Sequence, residues 1–119
     1  MKLVETQDVN AYEPPAHFGV SCVKIQGEET GLTKFWQGLS TFEADGGADW
    51  QYGAGTFGAE TEKTYFVVEG EITVENEAGE QFVAGPQASI SMLPNEKRKM
   101  WVSGGSKAVV LVTITAPNA

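Results

Sequence analysis

The run KAVVLVTITAP, residues 107–117, limits the fold more than any other stretch of the chain. Apolar and β-branched residues follow one another almost without interruption, which predicts a central, well-covered strand rather than an edge or a surface element. The other apolar runs are short and lie between turn signals, and 14 glycines supply many of those signals. SCVKI alternates up to GEET, and LTKFWQGLSTFEA ends at Asp45-Gly46-Gly47. Tyr65 to Val68 reads as a strand, Glu69-Gly70-Glu71 as a turn or bulge, and Ile72 to Glu75 as a strand with one face to a core. ENEAGE is a hairpin turn, EQFVAG begins the return, ASISMLP closes at Pro94, and KMWV follows a turn at NEKR. Short strands at this spacing predict an all-β sandwich or barrel.

A length of 119 residues with 41% hydrophobic content suits one packed core. Residues 1–20, with the Pro14-Pro15 pair and little periodicity, read as an extended N-terminal arm, and residues 21–119 as one β-barrel domain. The net charge of −8 repels phosphate backbones and anionic lipid heads, so neither nucleic acid nor a membrane surface is expected as a partner. Cys22 stands alone, which excludes an intramolecular disulfide and a thiolate cluster and leaves it as a small buried hydrophobe. MKLVETQDVN is acidic and lacks a signal-peptide core, and no apolar run spans a bilayer, so a cytoplasmic location is expected.

Two segments carry a family likeness. YFVVEGEITV is similar to the strand, glycine turn and strand of the first cupin motif, and ISMLPNEKRKMWV to the strand and proline turn of the second. From about Trp50 to Pro117 the chain resembles the cupin superfamily, and within it the small ethanolamine-utilisation-type cupins. The resemblance implies a double-stranded β-helix, or jelly-roll barrel, often dimeric. In metal-binding cupins, two histidines and a glutamate come from the first motif and a third histidine from the second. Counting from Gly70 and Pro94, those slots fall here on Phe57 and Ala59 (or Thr56 and Gly58), on Lys63 and on Lys99. The chain has one histidine, His17, in the Pro-rich arm, so a three-histidine centre within one subunit is impossible. The expectation is therefore no metal and no other cofactor. Glu60 and Glu62 leave open a carboxylate site for a harder cation if the register carries a bulge.

Alternation puts Phe57, Ala59, Thr61, Lys63, Tyr65 and Val67 on one face, and the second motif adds Lys99 and Trp101. If that face lines the barrel mouth, two ammonium groups occupy slots where relatives keep metal ligands, and an anionic small molecule becomes the natural guest. Lys63, Tyr65 and Lys99 are then the candidate catalytic groups, with a desolvated lysine as base and the phenol as proton donor. Trp50, Tyr52, Phe57, Trp101 and His17 are the candidate substrate contacts. Each has a plainer reading: the lysines as solvated rim charges, the aromatics as packing, His17 as a surface or dimer contact.

Three functions follow. The first is a metal-independent cupin enzyme performing proton transfer (isomerisation, elimination, decarboxylation or cyclisation) on a small anionic or polyketide-like molecule. The second is a non-catalytic ligand-binding or accessory cupin, and the third a carboxylate-ligated metalloenzyme. The arm and the apolar last strand also predict a homodimer.

Overall fold

The structure, a computed structural model, describes residues 1–116; Pro117, at the end of the apolar run, and the two residues after it lie outside the described residues. The strands are β1 (Ala11–Tyr12), β2 (His17–Gln26), β3 (Phe35–Gln51), β4 (Lys63–Glu69), β5 (Ile72–Asn76), β6 (Gln81–Ala84), β7 (Ser89–Met92), β8 (Arg98–Val102) and β9 (Ala108–Thr115). They follow the order β6-β5-β8-β3-β9-β4-β7, with β2 also on β3 and β1 on β2. Every pairing is antiparallel. This is the all-β jelly-roll barrel expected from the sequence, closed except at a seam between β6 and β7. Among the described residues, no helix is long and apolar enough to cross a membrane.

The barrel closes because β3 belongs to both walls. Its first half, Phe35 to Phe42, pairs with β9, and Gly47 to Gln51 pair with β8. Between them the strand crosses β2 so closely that a Cβ on Gly46 would run into the carbonyl oxygen of Gly19. Only glycine permits that approach. Gly70, which the resemblance placed in the first motif's turn, has φ +81°, and a Cβ there would strike the Lys107 carbonyl.

β9 is central, between β3 and β4, but it is covered on one face only: Ala108, Val110 and Ile114 are buried, while Val109, Leu111 and Thr113 are half-buried on the outside. A continuous apolar run here reflects an apolar outer row, in which Val23, Leu39, Leu111 and Phe66 stand in register across four strands. The N-terminal segment is less free than an arm. β2 starts at His17, inside the stretch read as arm, and Tyr12 of β1 pairs with Cys22. Residues 57–62, expected to extend the β4 alternation, instead form the loop between β3 and β4.

The interior is graded along the strands. Val67, Ile72, Val102, Ala108 and Val110 fill one end with apolar side chains. Inner positions at the other end hold Lys63, Tyr65 and Arg98.

Candidate functional site

Lys63 opens β4 and Arg98 opens β8, and both point inward because the strict alternation of their strands continues into Tyr65 and Val67 on one and Met100 and Val102 on the other. Lys63 is 4% exposed and Arg98 3%. Tyr52, just beyond β3 and held at φ +67°, lays its ring against both cations. Lys63 Nζ is 3.4 Å from the ring centroid and Arg98 Cζ 4.7 Å. Arg98 Cζ is also 5.3 Å from the Tyr65 ring. Two cations against aromatic faces gain cation–π attraction that grows with desolvation. Among the described residues, neither cation has a carboxylate within 4.0 Å: the three ion pairs involve Lys24, Lys99 and Lys107.

The electrostatic consequences are directional. Burial, then the nearby Arg98 charge, lowers the Lys63 pKa from 10.5 to about 8. Burial raises the Tyr65 pKa, with Arg98 acting in the opposite sense, so the phenol keeps its proton at neutral pH. Arg98 is positioned through a short relay. Its Nη1 donates to Gln51 Oε1 at 2.8 Å, and Gln51 Nε2 donates to the Pro15 carbonyl, which also accepts from His17 Nδ1 at 2.8 Å. His17, stacked on Phe42 at 6.5 Å, has its pKa lowered mainly by burial. The N-terminal segment is thereby tied to the site through Pro15. Arg98 Nε is buried with no hydrogen-bond partner, and among the described residues it is alone in this among buried side-chain nitrogens and oxygens.

A cavity of about 440 Å³ opens at the β6/β7 seam, with Arg98 in its lining. Val74, Phe82, Ile90 and Met92 form its apolar walls, and Glu80 and Glu96 are also among its lining residues. The volume suits a small organic ligand.

The predicted site residues divide into two groups. Lys63, Tyr65 and Tyr52 come together, and His17 joins them through Pro15 and Gln51. Lys99 and Trp101 do not: they lie on the outer face of β8, one residue out of phase with the inward set. Lys99 pairs there with Glu75 at 3.6 Å and sits 4.9 Å from the Trp50 ring, so Trp50 is also an outer-face residue. Phe57 is 94% exposed in the β3–β4 loop and is not among the residues lining the seam cavity. Arg98 and Gln51 are the residues that sequence reasoning missed. The signal was in RKMWV, where Met100 and Val102 form the more apolar parity and carry Arg98 inward with them.

The slots for cupin metal ligands hold Phe57, Ala59, Lys63 and Lys99, two apolar groups and two cations. Among the described residues, no three His, Cys, Asp or Glu side chains converge. Glu60 and Glu62 are exposed. This donor set does not fit a metal centre.

A cupin-fold barrel whose buried charged groups are two cations set against phenol rings is the class that fold and site define. Solved structures with this fold include the polyketide cyclase RemF from Streptomyces resistomycificus (TM-score 0.82, 20% identity, 98% of this chain and 80% of that one). KdgF from Halomonas sp. (0.78, 11%, 99% and 96%) and an RmlC-like cupin from Shewanella frigidimarina NCIMB 400 (0.72, 12%, 94% and 87%) share it. No family model matches the chain. Over 120 residues, spanning 100% of this chain and 97% of the relative, the chain is 32% identical to the beta-D-galactosidase Rv1717 of Mycobacterium tuberculosis, and it belongs to that protein's family.

Proposed function

We propose that the chain is a metal-independent cupin enzyme that moves a proton on a small anionic organic molecule, by isomerisation, elimination, decarboxylation or cyclisation. The observation that carries this reading is the buried pair Lys63 and Arg98, sharing the Tyr52 ring with no acidic partner among the described residues. Two uncompensated charges in a barrel interior are costly unless a ligand supplies the negative charge. Lys63, lowered to about 8, supplies a substantial neutral fraction as base just above neutral pH. Tyr65, two residues along the same inner face, keeps its proton and can hydrogen-bond an oxyanion as it develops. Arg98 lines the seam cavity and Lys63 and Tyr65 do not, so the side chains between them must move for substrate to touch Lys63 Nζ. RemF, a polyketide cyclase, uses the same fold, and cyclisation is among the reactions proposed.

The test does not need the physiological substrate. A panel of small carboxylates in D₂O, followed by NMR, should show exchange of a carbon-bound hydrogen in at least one member. The rate should rise with pH through an apparent pKa near 8, persist with chelator, and vanish in Lys63→Met. Exchange that needs an added divalent ion would sink the proposal.

A second reading is hydrolysis of a β-D-galactoside, favoured by the name of the 32% identical relative and by Glu80 and Glu96 lining one cavity. Glycoside hydrolysis usually calls for two carboxylates. Chromogenic β-D-galactoside turnover lost in both Glu80→Gln and Glu96→Gln would establish it. The homodimer also stands as a proposal, supported by the apolar outer row Val23, Leu39, Leu111 and Phe66. Light scattering giving a mass near 12.8 kDa would overturn it.

A further inference from the structure

The Arg98 guanidinium is only partly accounted for. Tyr52 and Tyr65 lie against it, and Nη1 is taken by Gln51. Nε is buried and donates to nothing, on a residue that lines the seam cavity. A buried charged donor without a partner is expensive, and native structures seldom keep one without a use. The Nε–H and the neighbouring Nη2 N–H form one straight edge of a guanidinium, and two parallel donors of that spacing match the two oxygens of a carboxylate.

The walls set the rest of the ligand. Val74 and Met92 are buried, Ile90 is half-buried, and Phe82 of β6 stands 47% exposed at the seam, where no pairing with β7 covers it among the described residues. An apolar body placed between them would cover Phe82. Glu80 and Glu96, both exposed and both lining the cavity, disfavour a second negative charge far from Arg98.

We propose that the free Nε edge of Arg98 is the carboxylate subsite of this cavity, and that the ligand is a monocarboxylic acid with a compact apolar or aromatic body lying between Phe82 and Ile90. This deepens the anionic-substrate reading above and rests on it for placing the reacting end near Lys63. Gln51 is a positioning residue here: it holds Nη1 and so fixes the plane of the guanidinium, whose buried Nε edge is uncovered when the carboxylate enters.

Benzoate and its neutral isostere benzamide are the probes, titrated into the full chain by calorimetry and by amide NMR shifts. Wild type should bind benzoate at least about tenfold more tightly than benzamide, with the largest shifts at Phe82, Ile90 and Met92. Arg98→Lys keeps the charge but removes the two-donor edge, and should lose about tenfold or more in benzoate affinity while benzamide binding is unmoved. Gln51→Leu, an independent variant should Arg98→Lys fold poorly, should weaken benzoate with a smaller loss. Lys63→Met should retain benzoate binding within a few fold while losing carbon-hydrogen exchange, which separates the subsite from the proton-transfer chemistry. Equal affinity for benzoate and benzamide overturns the subsite, as does benzoate binding that survives Arg98→Lys and disappears in Lys63→Met. Methyl β-D-galactopyranoside binding in the same cavity, unaffected by Arg98→Lys, overturns it in favour of a sugar site.

Discussion

The two ends of the barrel interior are built by the same strands and hold opposite chemistry. β4 runs inward from Lys63 through Tyr65 to Val67, and β8 from Arg98 through Met100 to Val102. At the far end Ile72 is 0% exposed among valines and Ala108, the arrangement that maximises buried apolar area and leaves no polar atom to satisfy. At the near end two cations, two phenols and an unpartnered Nε occupy space that a stability-optimised core would fill with aliphatic groups. One end is therefore expected to hold the fold, and the other to hold a ligand at some cost to the fold.

The most direct way to break this contrast is to cut the apolar end. Ile72→Ala removes a wholly buried side chain and should destabilise by about 2–5 kcal/mol in urea denaturation. A loss under about 1 kcal/mol would show that the two ends are not energetically distinct. Lys63→Met at the other end should act in the opposite sense and stabilise the protein by about 1–3 kcal/mol at pH 7, since it removes a desolvated charge and keeps the volume. The pH dependence fixes the sign. With the folded pKa near 8 and the unfolded one near 10.5, the unfolded chain binds more protons between those values, so wild-type stability should rise with pH across that window. The advantage of Lys63→Met should therefore be full below pH 8 and shrink toward pH 10.5. An advantage that does not change with pH would mean Lys63 is not desolvated.

Tyr52 tests what keeps the polar end dry. It lies outside any strand, yet its ring touches both cations, and Gly58 leaves room for it: a Cβ there would come within 2.9 Å of the ring. Tyr52→Ala should admit water to Lys63 and move its pKa up from about 8 by about one unit, which corresponds to about 1.4 kcal/mol. Isotope-labelled lysine followed by NMR reads the shift, and a pKa that stays put would assign the depression to Arg98 alone.

How far the site was legible in the sequence follows from the same two strands. The barrel was readable because alternation, glycine turns and the β9 run all report on backbone periodicity, which local sequence encodes directly. Lys63 was readable by counting from Gly70 into the first motif, and Tyr65 follows it at the next position of the same strand parity. Arg98 was not, because the count from Pro94 puts Lys99, on the other parity of RKMWV, in the inward slot and outweighs the more apolar pair Met100 and Val102. Trp101 shares the parity of Lys99 and reads as inward with it, whereas its half-exposed place on the outer face beside Lys99 and Trp50 suits an amphipathic ring. Glu75, the partner of Lys99 on that outer face, lies 24 positions earlier and becomes a neighbour only through the β5–β8 register. Gln51 and Pro15 were hidden for a like reason: their roles exist only where the N-terminal segment meets the end of β3.

Lys99 supplies the smallest effect and the sharpest control on the comparison. It is one residue from Arg98 and carries the same charge type as Lys63, so a long-range electrostatic account of ligand binding would weight it nearly as heavily. Its side chain, however, is a third exposed and already pairs with Glu75 at 3.6 Å, and a pair of this kind contributes only about 0–1 kcal/mol. Lys99→Ala should accordingly change stability by less than about 0.5 kcal/mol and leave benzoate affinity within twofold of wild type. If it instead weakened benzoate as much as Arg98→Lys, the guest would be answering to the summed positive field of β8 rather than to a particular edge of one guanidinium, and the distinction between inner and outer faces of that strand would carry no functional meaning.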